Sequence, residues 1–205
     1  MSEAQQTTQS LILKAAMQEF LEKGFQAASL RNIVKQAGVT TGAFYGYYHS
    51  KEALFEALVG EQYDYFMDCF CQAQRDFAKL PPQEQPEHLG IDSGACMHQM
   101  LLYAYQHLDE FKLLLCGAEG TRFSHFIDEM VGIELQGTHD YLKVLADLGR
   151  PAPPIDERLE HILITGMFNA FFELILHEMP LERAEHYLAE MRDFYTAGWM
   201  KIMGQ

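Results

Sequence analysis

The sequence predicts an all-α protein of about nine helices in two parts, and three observations carry that expectation. Apolar residues recur at spacings of three and four along most of the chain, which places them on one face of a helix. No stretch alternates apolar and polar residues for long enough to make a strand. The strongest breaks, Pro81-Pro82 and Gly149-Arg150-Pro151-Ala152-Pro153-Pro154, fall between periodic stretches.

The elements follow in order. Over residues 8–23, Leu11, Ile12, Ala15, Ala16, Phe20 and Leu21 form one stripe, and Gly24 ends that helix. Ser29 stands as N-cap of a second helix, residues 30–37, which Gly38 stops. Thr40 caps a short third helix through Tyr47 or Tyr48. Ser50 caps a long fourth, from Lys51 to about Leu80, with Glu52 near its positive end. Residues 83–93 read as a loop. Further helices cover 94–108, 110–116 and 121–148, and after the Gly-Pro break 155–177 and 181–203, with Pro180 between the last two. These elements divide into a domain of residues 1–50 and a domain of residues 51–205.

Of the 205 residues 48% are apolar, with fourteen Phe and ten Tyr, so a sizeable core is available. The apolar runs read as shorter than the roughly 18 residues that cross a bilayer. Met1-Ser2-Glu3-Ala4-Gln5-Gln6 lacks the basic stretch and apolar block of a secretory signal. The expectation is a cytoplasmic protein without a membrane partner. In that compartment Cys69, Cys71, Cys96 and Cys116 stay reduced and serve as small apolar residues. Cys69 and Cys71 are two apart on a helix, about 200° from each other around its axis.

The net charge of −14 divides unevenly. The first 55 residues carry five basic groups (Lys14, Lys23, Arg31, Lys35, Lys51) and four acidic ones, a net of +1. The rest of the chain carries a net of −15. Only the first quarter can approach a polyanion; the remainder repels one.

The informative pattern lies in residues 29–51. Two short helices joined at Gly38-Val39 form a helix-turn-helix, with Leu30, Ile33, Val34, Val39 and Phe44 available to fill the angle between them. The outer face of the second helix is then free to enter a DNA major groove. Its N-terminus, Thr40-Thr41-Gly42, offers free N–H groups to phosphate oxygens, and Thr41 can reach base edges. Gly42 lets the backbone come close. Tyr45 and Tyr47 point to different sides and can hold phosphates on either wall, with Arg31 and Lys51 as cationic contacts. Phe44 and Tyr48 are assigned to the core. Arg31 could equally be a solvated helix charge, and a Tyr-rich short helix taken alone could be core.

Residues 11–58 resemble the DNA-binding domain of the TetR family of regulators. The resemblance rests on Gly24-Phe25, Ser29-Leu30-Arg31-Asn32-Ile33, Ala37-Gly38-Val39, Gly42-Ala43-Phe44-Tyr45-Gly46-Tyr47-Tyr48 and Ser50-Lys51-Glu52, in that order. It covers about a quarter of the chain. Gly46 departs from it, standing where the family often has a side chain able to contact DNA. Gly also costs about 1 kcal/mol against Ala inside a helix. Tyr48 stands where Phe is usual.

The resemblance implies an all-helical C-terminal domain that senses a small molecule and dimerises through its last two helices. Leu159, Ile162, Gly166, Met167, Ala170 and Leu174 are the candidate interface residues on the first of these. Leu188, Met191, Tyr195 and Trp199 are the candidates on the second, with Gly166 and Ala170 permitting close approach. The same faces could instead complete the monomer core. For a ligand pocket among the central helices, the candidates are Phe66, Met100, Tyr103, Phe111, Phe123, Phe126 and Met130, with polar points at His98, His107, Glu119 and His125. Such a wall suits a flat or apolar ligand, although these residues could all be ordinary core.

Enzyme readings find no support in the sequence. It contains no Gly-rich phosphate loop, no HExxH and no GxSxG. No catalytic residues, cofactor or metal are expected. His186 and Glu190 align with Glu182 in a solvated stripe, and a metal sensor built from Cys96, His98, His107 and Cys116 is a lesser alternative. The expected partners are a double-stranded DNA operator, a second copy of the chain and a small-molecule effector that tilts the fourth helix. The alternative is a DNA-binding structural or protein-partnered factor with no inducer.

Overall fold

In the computed structural model, which describes residues 7–205, α1 (Thr8–Ala27) begins where the Thr7 hydroxyl accepts the Ser10 N–H at 3.2 Å. The segment Met1–Gln6, on which the absence of a signal was judged, lies outside the described residues. Helix α2 is Leu30–Gln36, α3 Thr41–Tyr47, α4 Lys51–Lys79, α5 the single turn Gln85–His88, and α6 Ile91–Gln106. Then come α7 (Leu108–Lys112), which runs into one wide π-turn at Leu113–Gly117, α8 (Phe126–Asp147), α9 (Glu157–Leu176) and α10 (Leu181–Met203). There is no strand among the described residues. The all-α expectation holds, with several boundaries moved. Residues 83–93 are not all loop, because Pro86 suits the first turn of α5. Helix α6 starts at Ile91 rather than Gly94. Helix α8 starts at Phe126, because Thr121 first turns back to accept from Ser124.

The chain packs as two units. One runs up to Asp64 and takes in His107–Ser124. Its core is a ring of phenylalanines: Phe20 meets Phe55 edge-on at 5.1 Å, and Phe25 meets Phe55 at 5.4 Å. Each fully buried ring contributes about 2–3 kcal/mol by leaving water. Gly24, at φ 70°, kinks α1 so that Phe25 can turn into this cluster. Gly38, at φ 66°, makes the turn between α2 and α3, where any other residue would be strained. Arg122 grips α4 through two hydrogen bonds to Glu56 at 2.6 and 2.7 Å, its guanidinium lying 4.2 Å from the Phe123 ring centre.

Glu19 corrects the expected start of α2. Ser29 makes no side-chain cap. The buried Glu19 carboxylate of α1 instead accepts from the Ser29 N–H at 3.1 Å and the Asn32 amide at 3.3 Å. Lys23, donating at 2.9 Å, holds the carboxyl below its usual range. An acid from another helix thus does the work of an N-cap.

The second unit comprises Tyr65–Gln106 and His125–Gln205. Phe66, Phe126, Phe171 and Phe172 form its centre, with Phe126 and Phe172 ring centres 5.5 Å apart. Phe70 meets Phe168 edge-on at 5.4 Å. The Tyr105 hydroxyl lies within hydrogen-bond reach of the Leu174 and Met179 carbonyls, at 3.0 and 2.8 Å, fastening α6 to the α9–α10 turn. Asp156 caps α9 by accepting from the Arg158 and Leu159 N–H groups.

Candidate nucleic-acid interface and ligand cavity

Helix α3 is amphipathic over only seven residues. Thr40 caps it, its hydroxyl accepting the Ala43 N–H at 3.1 Å. Phe44 and Tyr48 are buried, the Tyr48 hydroxyl accepting from Gln9 at 3.3 Å. Ile33 and Val34 close the angle with α2, while Leu30 and Val39 are only half-buried. On the outer side Thr41, Gly42, Tyr45 and Tyr47 are exposed, Tyr45 to 51% and Tyr47 to 48%. Together they leave two aromatic rings with polar hydroxyl tips on the outer side of one short helix. Arg31 is exposed on α2. A Cβ added at Gly46 would meet nothing within 4 Å, so the outer face has an open position there.

Lys51 differs from its expected role. Its ammonium donates to the carbonyls of Phe25, Gln26 and Ala28 at 2.7, 3.2 and 3.2 Å, and lies 4.5 Å from the Phe25 ring centre. All three donors are engaged, so Lys51 ties the start of α4 to the end of α1 and has none left for a phosphate. Sequence spacing placed it after the recognition helix but could not reveal carbonyls on a segment 23–26 residues away.

The second unit encloses a cavity of about 240 Å³ between α4, α6, α8, α9 and α10. Phe70 and Phe77, Cys96 and Met97, Tyr141, and Tyr195 and Trp199 supply its aromatic and sulfur-bearing wall. Of the expected pocket residues only His98 lines it, at the rim, where its ring pairs with Glu185 at 2.8 Å. Phe66, Met100, Phe126 and Met130 are solid core of the second unit, and Tyr103 stacks on Tyr65 at 3.7 Å. Phe111 and Phe123 are core of the first unit, where His107 is half-buried. His125 and Glu119 are exposed, the former beside Asp128 at 3.2 Å. Helical spacing finds residues that face inward, and a packed interior and a cavity wall need the same kinds of side chain.

Sequence reasoning missed Glu134. It stands on the inward stripe of α8, Met130–Glu134–Thr138–Tyr141–Leu145, and lines the cavity. An acid at an apolar stripe position is the signal that could have found it. Burial pushes its carboxyl up to about 7, against the opposing pull of a 2.6 Å hydrogen bond from Gln74. Cys96 lies 3.6 Å from Cys69, sulfur to sulfur, and burial drives its thiol pKa up. Cys69 and Cys71 are half-buried and Cys116 is exposed, so only Cys96 is the interior residue expected. No group of three or more His, Cys, Asp or Glu side chains is placed to hold a metal among the described residues.

Residues 12–58 match the family model described as bacterial regulatory proteins, tetR family. The N-terminal domain of the chain thus matches the DNA-binding domain of the TetR family. An uncharacterised HTH-type transcriptional regulator of Bacillus subtilis, YdgC, is 50% identical over 48 residues, 23% of this chain and 25% of that protein. The match thus spans about a quarter of the length of this curated relative. Beyond it, TetR-type architecture is seen in the fold. A transcriptional regulator of Aquifex aeolicus is 21% identical with a TM-score of 0.51, covering 90% of this chain and 96% of that one. FadR of Bacillus subtilis, solved with stearoyl-CoA, is 16% identical with a TM-score of 0.55, covering 92% and 97%.

In this TetR-type chain the last two helices have two kinds of face. Leu159 and Ile162 on α9 are 46% and 63% exposed, with Gly166 beside them; on α10 Phe194 is 73% and Tyr187 42% exposed. Ala170 is half-buried. Leu174 and Leu188 are buried within their own chain, and Met167, Leu188, Met191, Tyr195 and Trp199 line the cavity. Half of the expected interface residues therefore line the cavity, four of them on α10, and periodicity alone cannot say which apolar side of a helix points into its own unit. By length and composition α9 is apolar enough to cross a membrane, contrary to the reading of the apolar runs: Thr165 and Asn169 interrupt the run without offsetting its hydropathy. Its inward side, Ile164, Phe168, Phe171 and Ile175, is packed within the unit.

Proposed function

We propose that the protein is a cytoplasmic, homodimeric transcription regulator: a repressor released from a palindromic operator when a small apolar or aromatic effector enters the cavity. Residues 1–50 bind DNA, and residues 51–205 hold effector and partner copy. The observation that carries the reading is α3, with Phe44 and Tyr48 sunk in the core while Thr41, Tyr45 and Tyr47 stand exposed on its outer side. Tyr45 and Tyr47 hold phosphates, Thr40 and Gly42 bring the helix start close, Thr41 meets base edges, and Arg31 adds a cation. The Leu159, Ile162, Gly166 and Phe194 surface of α9 and α10 takes the second copy, which supplies the two-fold symmetry of a palindrome.

Only Tyr48-His49-Ser50 separate α3 from α4, and α4 supplies Phe70, Ala73, Gln74 and Phe77 to the cavity. An effector shifts the DNA-binding state only by its difference in affinity for the two states, about 2.7 kcal/mol per site for a hundredfold preference. The reading is tested by selecting genomic fragments with the purified protein and measuring their retention across salt concentrations. A palindromic site bound about a thousandfold over bulk DNA is expected; uniform binding of all fragments would sink the proposal.

A further inference from the structure

Glu134 occupies an unusual place in the cavity. Its Oε2 accepts from the Gln74 Nε2 at 2.6 Å, and among the described residues no group donates to its Oε1. Gln74 is itself set in place, since a Cβ at Gly137, one turn along α8, would overlap its amide oxygen. The basic side chains around the wall are already matched with carboxylates: His88 with Asp92 at 3.2 Å, His98 with Glu185 at 2.8 Å, and Arg192 with Asp193 at 2.9 Å. Glu134 is therefore the acid on this wall with no cation beside it.

We infer that the cavity takes an organic cation, whose positive nitrogen pairs with Glu134 while its flat apolar body lies against Phe77, Tyr141, Tyr195 and Trp199. This rests on the cavity being the effector site. Three physical effects agree. A carboxylate set in an apolar wall, half-buried and with one oxygen open to the cavity, is stabilised most by a charge it can touch. Aromatic faces carry negative potential at their centres and attract cations by about 0.5–2 kcal/mol each. The chain beyond residue 55, with its net of −15, draws cations and repels anions before contact. Without a ligand, Glu134 spends much of its time protonated at neutral pH, which is how the empty site tolerates the group; an arriving cation displaces that proton.

The test uses three naphthalene probes of similar size with the full chain: (1-naphthylmethyl)trimethylammonium, 1-naphthalenemethanol and 1-naphthylacetate. Trp199, the chain's single tryptophan, lines the cavity, so its fluorescence reports occupancy, with calorimetry as a second readout. The cation is expected to bind at least tenfold tighter than the neutral probe, and the anion weakest. Glu134→Gln, which keeps an acceptor for Gln74, is expected to remove that preference while leaving the neutral probe's affinity within twofold, which also shows the variant folded. Equal affinities for cation and neutral probe, or a preference that survives Glu134→Gln, would overturn the charge assignment and leave the effector site standing. Failure of every probe to bind, by a protein that still selects its DNA, would overturn both.

Discussion

Glu134→Gln should change the pH dependence of stability even with no ligand present. The glutamate pKa rises from 4.5 to about 7 on folding, so between those values the folded state holds a proton that the unfolded state has lost. More protons on the folded state means that stability falls as pH rises through this window. Below 4.5 the group is protonated in both states and contributes nothing; above 7 the whole penalty is present. At 1.36 kcal/mol per pKa unit the penalty is about 3 kcal/mol for a dry site, and about 2 kcal/mol for one that water reaches. Gln74 and Cys96 are the groups that face Glu134 from α4 and α6, and neither charges between pH 5 and 8. Urea denaturation of parent and variant at pH 5, 6, 7 and 8, followed by Trp199 fluorescence, isolates the term because every other titration cancels in the difference. The parent is expected to lose about 2 kcal/mol relative to the variant between pH 5 and 8. Parallel stability curves would refute the buried, proton-holding Glu134.

Lys51→Met should lower stability by about 2–3 kcal/mol, since three carbonyls lose their donor, and calorimetric unfolding of the variant at the parent temperature would dismiss the clamp. Tyr45→Ala should leave stability within about 0.5 kcal/mol, the ring being half exposed, yet weaken operator binding about tenfold in a mobility-shift titration; unchanged affinity would remove Tyr45 from the interface. Arg31→Ala should reduce the slope of log affinity against log salt by about 1, and an unchanged slope would make Arg31 a solvated charge. Ile162→Arg puts a charge into the exposed apolar stripe of α9, so sedimentation should show monomer where the parent is dimeric; a dimer of unaltered strength would place the interface elsewhere.

The sequence was most legible where one residue has one physical use. Gly38 at a turn needing positive φ, Thr40 capping α3 and Ser50 capping α4 are local devices, readable from a few neighbours. It was least legible where the partner is remote. Glu19 capping α2 across ten residues and Lys51 reaching back to Phe25 both look like surface charges in the linear chain. The cavity of the second unit was not legible because its makers are what the wall lacks: Gly90, Gly94 and Gly137 set α10 and Gln74 at their distances, and Glu134 interrupts an apolar stripe. Inward-facing Phe and Met mark only where an interior exists, not where it is left unfilled.

Gly46 gives the recognition helix a freedom that most binding surfaces lack. Filling a position on a folded protein ordinarily meets a neighbour, and the gain in contact is offset by strain. Here the space above the backbone is empty, and replacing Gly by Ala in a helix gains about 1 kcal/mol. Every side chain except proline starts at this position with a small credit in helix stability and projects on the exposed side of α3. If α3 reads DNA as proposed, substitutions at position 46 change the face it presents while leaving the fold intact. A saturation library at position 46, sorted first for folding and then for operator choice, would find the two properties independent.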